Sequence, residues 1–333
     1  MNNTLKKIAV TGASTVLGAT AALSLSIPAQ AALIGPAQDF NVFAFDNIDL
    51  YNVDAHGRIA AGGDAKLTNF GTASELPASG AGDTLVVGGD LNYSNGQVYV
   101  GDVVVGGNVI SSPSIPNGTL KSGNPINFAQ AEQFYKNYSA QLGNLAANGT
   151  VTIQPWKAIE LKGNSSDLNV FELNASDLAS ASSFDLEFDA NSTVLVNVTG
   201  NPFNLTNGFQ MNLNDNPNGG GANRVLFNFV DATQIKSTGF SWQGSVLAPL
   251  AEYNEFSNGH INGQMIARSI KGNGEYHIIA PNNDNSSVLF EGDLPAPNTP
   301  DAPEPLTILG SGVALGFGAF FKRQQSKKQK NAN

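Results

Sequence analysis

Along most of this chain short apolar runs are broken by glycine- and asparagine-rich stretches, at spacings that suit strands better than helices. Three early segments share one pattern: RIAAGGDAKL (Arg58–Leu67), TLVVGGDLNY (Thr84–Tyr93) and DVVVGGNVIS (Asp102–Ser111). Each sets an apolar pair or triplet before Gly-Gly, then Asp or Asn, then a further strand-like stretch. The Gly-Gly pairs recur after 26 and then 18 residues. Apolar runs interrupted in this way predict successive rungs of a β-solenoid that turns at its glycines. An antiparallel β-sandwich built from strand–turn repetition is the alternative.

One segment breaks the strand rhythm. In NFAQAEQFYKNYSAQLGNLAANG (Asn127–Gly149), apolar residues at 128, 131, 134, 135, 138, 142 and 145 follow a helical period. Asn127 with Gln130 predicts a capping-box-like start. A single amphipathic helix in a β-rich chain is expected to bury its aromatic stripe (Phe134, Tyr135, Tyr138) against the solenoid; a ligand platform is the other reading of that stripe. From Val151 the strand pattern returns in VTIQ, AIEL, LNVFEL, FDLEF, TVLVNV, FQMNL and RVLFNFV. The fold class is therefore mainly β, a right-handed β-solenoid (β-helix) with one long helix along it.

The two ends carry a different kind of pattern. Residues 1–31 combine Lys6–Lys7, an apolar stretch to about Leu25, and small residues in Ala29-Gln30-Ala31. That is a secretory signal peptide, cut between Ala31 and Ala32. IAVTGASTVLG within it has the look of a dinucleotide-binding turn. No acid follows before Asp39, so the fingerprint is incomplete. At the other end, 16 uncharged residues (306–321) precede a basic cluster. A helix of that length covers roughly 24 Å, slightly less than a bilayer core of about 30 Å. A plain membrane anchor is one reading. Pro303-Glu304-Pro305 immediately before the span favours another, because the order of the three features resembles the PEP-CTERM sorting signal of Gram-negative bacteria. That resemblance implies recognition by an exosortase, a passing stay in the inner membrane, and delivery to the cell surface or extracellular matrix. Five prolines between Pro295 and Pro305 mark residues 294–302 as an extended spacer. The folded body then spans residues 33–293, and the sorting signal residues 303–330.

Composition sharpens this picture. Seven of the 17 cationic residues lie in the two terminal segments, so ten remain in the body (residues 33–293) against 25 of the chain's 27 acids. A strongly acidic body disfavours nucleic acid and anionic membrane surfaces as partners. The absence of cysteine removes a disulfide framework, a thiol nucleophile and Cys-ligated metal.

The body as a whole, about residues 38–281, resembles the choice-of-anchor A family, a bacterial adhesive module. The residues that carry this are FNVFAFDNIDL (Phe40–Leu50), the three Gly-Gly segments, and FSWQGSVLAPLAEYNEFSNGHINGQMIARSIKGNGEYHI (Phe240–Ile278). More remotely, Trp242-Gln243-Gly244-Ser245 into Val246-Leu247-Ala248-Pro249 is similar to the closing coils of ice-binding β-solenoids, which also carry a helix along one side. Family resemblance implies a non-enzymatic role in adhesion or matrix and biofilm assembly, with extracellular polysaccharide or other surface proteins as partners.

Candidate chemistry is sparse. His56, His260 and His277 are scattered, with no i,i+4 pair for zinc, although His260 and His277 could be neighbours on adjacent rungs. No catalytic, cofactor-binding or metal residue is assigned, and no cofactor is expected. NDNPNGGGAN (Asn214–Asn223) lacks the regular acid spacing of a calcium loop and reads as a polar hairpin tip. Asp64, Asp90 and Asn108 are expected to stack at a corner as hydrogen-bonders, or alternatively as a binding surface. Two other functions stay open. One is a carbohydrate-active β-helix enzyme, which needs a basic residue beside clustered acids. The other is ice binding, which needs a flat array of Thr or small residues.

Overall fold

The computed structural model describes residues 35–78, 81–201, 203–206, 208–209, 211–214, 221–278 and 289–298. Chain contacts divide the protein into Met1–Gln30 and Ala31–Asn333; the first unit lies outside the described residues. Ala31, Ala32, Pro303, Glu304, Pro305 and the 306–321 span also lie outside them. Among the described residues no helix is long and apolar enough to cross a membrane.

The body is β-helix-like: its strands pair in parallel, coil upon coil, in three ladders, the first running through Phe40–Ala44, the second through Ile48–Tyr51 and the third through Asp54–Ala55. Among the described strands only Thr150–Ile153 and Ala158–Lys162 pair antiparallel, which overturns the antiparallel sandwich. The early repeats stack as rungs, with Ile59, Leu85 and Val103 in register, followed by Ala61, Val87 and Val105. Those side chains point into the shared core. Stacking order departs from chain order at one place. Phe40–Ala44 is bonded to Met265–Ala267 on one side and to Arg58–Ala61 on the other. The last coil thus closes onto the first. Buried Asn41 braces this seam: its Nδ2 donates to the carbonyls of Gly263 (2.7 Å) and His277 (3.2 Å), and its Oδ1 accepts from Gly57 N–H.

Strands of the first ladder read as near-continuous apolar runs because both their faces are buried. Their inner residues fill the core, while Phe43, Ala60, Val86, Leu247 and Ile266 face outward under helix α1 (Phe128–Gly143). The helix begins at the predicted cap, Asn127, whose Oδ1 accepts from Gln130 N–H at 3.1 Å. Phe134, Tyr135 and Tyr138 are buried in the contact, so the aromatic stripe is core packing. Two in-register asparagines fasten the helix from below. Asn197 Nδ2 donates to the Leu142 carbonyl, and Asn228 Nδ2 to the Ser139 carbonyl. A shorter helix, α2 (Ala175–Ala179), follows later in the chain.

The stretch read as a spacer begins on the folded body. Phe290 and Leu294 pack into the core beneath helix α1. Tyr138 Oη donates to the Pro295 carbonyl at 3.0 Å, and Gln141 Nε2 to the Ala296 carbonyl at 2.8 Å. Asn298 N–H returns a bond to Gln141 Oε1. Prolines remove donors but leave carbonyls as acceptors, and the helix supplies the donors.

Candidate functional site

Each coil must turn sharply between its strands, and the residues that permit the turns form rows along the molecule. At one corner the Gly-Gly pairs stack. A side chain on Gly62, Gly88 or Gly106 would collide with the backbone carbonyl of the coil beneath it. The polar residue after each pair bonds the next coil. Asn47 Oδ1 accepts from Asp64 N–H (2.7 Å), Asp64 Oδ1 from Asp90 N–H (2.8 Å), and Asp90 Oδ1 from Asn108 N–H (2.6 Å). Asp64, Asp90 and Asn108 are therefore corner hydrogen-bonders, as expected from their position after Gly-Gly.

A second corner, not singled out in the sequence, is made of asparagine. Asn52, Asn69 and Asn95 sit at φ 61°, 50° and 52°, the left-handed conformation that asparagine tolerates better than most residues. They follow in-register strand positions (Tyr51 with Thr68, Thr68 with Ser94), so one amide stands above the next. Asn69 Nδ2 donates to Asn52 Oδ1 at 2.8 Å. Beside this row runs a groove of about 630 Å³, walled by Asp54, Gly71, Gln97 and Tyr99. Tyr99 is 40% exposed. A Cβ on Gly71 would stand only 3.0 Å from Asp54 Cβ and 3.1 Å from the Tyr99 ring, so glycine keeps the groove open. Asp54 Oδ2 is held by the Ser74 hydroxyl at 2.7 Å.

On the third ladder, next to Asp54, the structure bears out His260 and His277 as neighbours on adjacent rungs and corrects the reading of His56 as standing apart from them. All three stack: His56 on His277 with ring centroids 4.5 Å apart, and His277 on His260 at 4.8 Å, each pair tilted by 20°. His277 Nδ1 donates to Asn262 Oδ1 at 3.1 Å, and its Nε2 faces Glu275 Oε2 at 3.2 Å. His260 Nδ1 meets the Ser241 hydroxyl. Burial, and then the neighbouring His277, lower the pKa of both His56 and His260, against the opposing pull of nearby carboxylates. His277 comes between the other two only because the last coil closes onto the first. No local pattern could have shown that. Among the described residues no group of three His, Asp or Glu side chains is arranged to hold a metal ion.

A solved ice-binding protein from the Antarctic ascomycete Antarctomyces psychrotrophicus is similar over 74% of this chain and 100% of its own, at 12% identity and a TM-score of 0.36. A glycosylated ice-binding protein from an Arctic yeast is similar over 79% of this chain and 95% of its own, at 13% identity and a TM-score of 0.34. No curated protein matches the chain. The family described as "Putative Ice-binding-like adhesive domain" matches residues 33–278, nearly the whole parallel-stranded body. The chain belongs to that ice-binding-like adhesive family.

Proposed function

We propose that this protein is an exported, non-enzymatic adhesive module that works at the cell surface or in the extracellular matrix. On this reading the signal peptide is cut between Ala31 and Ala32. An exosortase then recognises Pro303-Glu304-Pro305 while the 306–321 span holds the chain briefly in the inner membrane. The coils wind right-handed, the sense that parallel crossovers overwhelmingly take. The observation that supports adhesion best is the asparagine corner, a repeated row of amides on a hydrogen-bonded scaffold beside an open polar groove.

The carbohydrate-active alternative asks for a base beside clustered acids, and Lys121 between Asp83 and Asp102 has that composition. Hydrogen bonding to Asp102, and then to Asp83, raises the Lys121 pKa. A lysine held in its charged form is a poor general base. Ice binding fits less well, because the outward positions of the second ladder carry ion pairs such as Lys66–Asp49 and Lys271–Asp49.

The test is to isolate the protein from an exporting cell, measure its C-terminal mass, and assay its retention on that cell's own matrix. A terminus near residues 303–305 with matrix retention is expected. An intact Lys330 would refute the processing step, and absence of retention would refute adhesion. New reducing ends or unsaturated sugars from a polysaccharide panel would establish the enzymatic alternative instead.

A further inference from the structure

The asparagine groove has a chemistry that selects a class of ligand. We infer that it binds an uncharged linear polysaccharide laid along the stack of coils, an assignment that rests on the adhesive reading above. Three features converge on this.

Asn52, Asn69 and Asn95 recur on successive coils, which parallel pairing sets about 4.7–4.9 Å apart. A ligand running along the stack therefore meets the same amide at each step. Each primary amide offers two donors and a carbonyl acceptor. The Asn69-to-Asn52 bond uses one donor and one acceptor lone pair. The remaining valences suit hydroxyl groups, which both donate and accept.

Tyr99 supplies the second feature. Its ring stands exposed on the groove wall over Gly71, an aromatic face against which the C–H surface of a sugar ring can pack. Charge supplies the third. Asp54 is the one ionisable carboxylate of the wall, and no Lys or Arg is among the residues lining the groove. A uronate or sulfated chain would meet a like charge with no compensating cation, whereas a neutral chain pays no such penalty.

The left-handed backbone of the asparagines also makes the site testable without unfolding it. Asn69→Gly keeps that conformation accessible while deleting the amide. Titration calorimetry of the full chain with cello- and laminari-oligosaccharides, and with oligogalacturonate for comparison, reads the inference directly. Binding of at least one neutral oligosaccharide is expected, with oligogalacturonate weaker. Tyr99→Ala should weaken that binding about tenfold, the scale of one lost aromatic contact. Asn69→Gly should weaken it as well, while Lys236→Ala on the second ladder leaves it unchanged. Thermal melts of each variant confirm that the fold is kept.

Failure of both neutral oligosaccharides to bind, stronger binding of oligogalacturonate, or unchanged affinity in Tyr99→Ala and Asn69→Gly would overturn the assignment. Matrix retention of the same variants separates this from the broader reading. Retention that survives without neutral-glycan binding leaves adhesion standing and removes only the groove's ligand class.

Discussion

Asn228 shows how much of this fold depends on a few buried amides. Its fully buried side chain makes three bonds beneath helix α1. Nδ2 donates to the Ser139 carbonyl (3.0 Å) and to Asn197 Oδ1 (2.8 Å), and Oδ1 accepts from the Ser139 hydroxyl (2.5 Å). Asn228→Ala removes all three and leaves the Asn197 oxygen and the Ser139 hydroxyl without those partners in a site water does not reach. Each stranded buried group costs about 1–3 kcal/mol. The Ser139 carbonyl retains the bond that helix geometry gives it, so the expected loss is about 3 kcal/mol rather than the sum of three full penalties. That is a large part of a typical stability of about 5–15 kcal/mol. At about 2–4 °C per kcal/mol for a domain of this size, Tm should fall by about 6–12 °C. Denaturant unfolding should show a lower midpoint at unchanged slope, with faster amide exchange in helix α1. Pairing the change with Ser139→Ala should reveal a coupling of about 1 kcal/mol. A loss under about 1 kcal/mol, with helix α1 still protected from exchange, would refute the argument that these asparagines fasten the helix.

Three further outcomes follow from the same reasoning. Gly88→Ala places a methyl group against the Gly62 carbonyl, and unfolding measurements should show a loss of about 1–3 kcal/mol from overpacking. Phe290→Ala empties a buried site beside helix α1, and should cost about 3–5 kcal/mol by the same measurement. Acidification tests the histidine stack. Because the folded-state pKa values of His56 and His260 lie below the ordinary 6.5, the unfolded chain takes up protons first as pH falls. Their contribution to stability is therefore fully present above about 6.5 and is lost as pH drops through the folded-state values. Asp54, Glu75 and Glu275 pull His56 the other way, and Glu275 does so for His260. Proton NMR titration of the imidazoles should find His56 and His260 titrating below 6.5, and each should move upward in His277→Gln. Unmoved values would show that the stack does not couple them.

Much of the body could be read from the chain because its signals are local. Gly-Gly followed by Asp or Asn marks a corner wherever backbones pass too closely for a side chain, and Gly88 over Gly62 bears this out. The helical period from Phe128 picked out the buried face of α1, with Asn127 as its cap. Val194–Val198 and Val225–Phe229 show no solvent-facing alternation, their only polar residues being the buried Asn197 and Asn228, because strands covered on both faces have no solvent side. The acidic body likewise follows from composition alone.

Tertiary structure decided what depends on contacts between distant residues. Asn41 bonds Gly263 across 222 positions, and nothing near either residue announces that the last coil will close onto the first. The stacking of His56 on His277 follows from that closure. Asn52, Asn69 and Asn95 look in the chain like ordinary turn residues; only the register of the parallel strands turns them into a row. A turn, a cap or an apolar period is set within a few residues of itself. The order in which coils stack is set by which edges remain unpaired once all of them have formed.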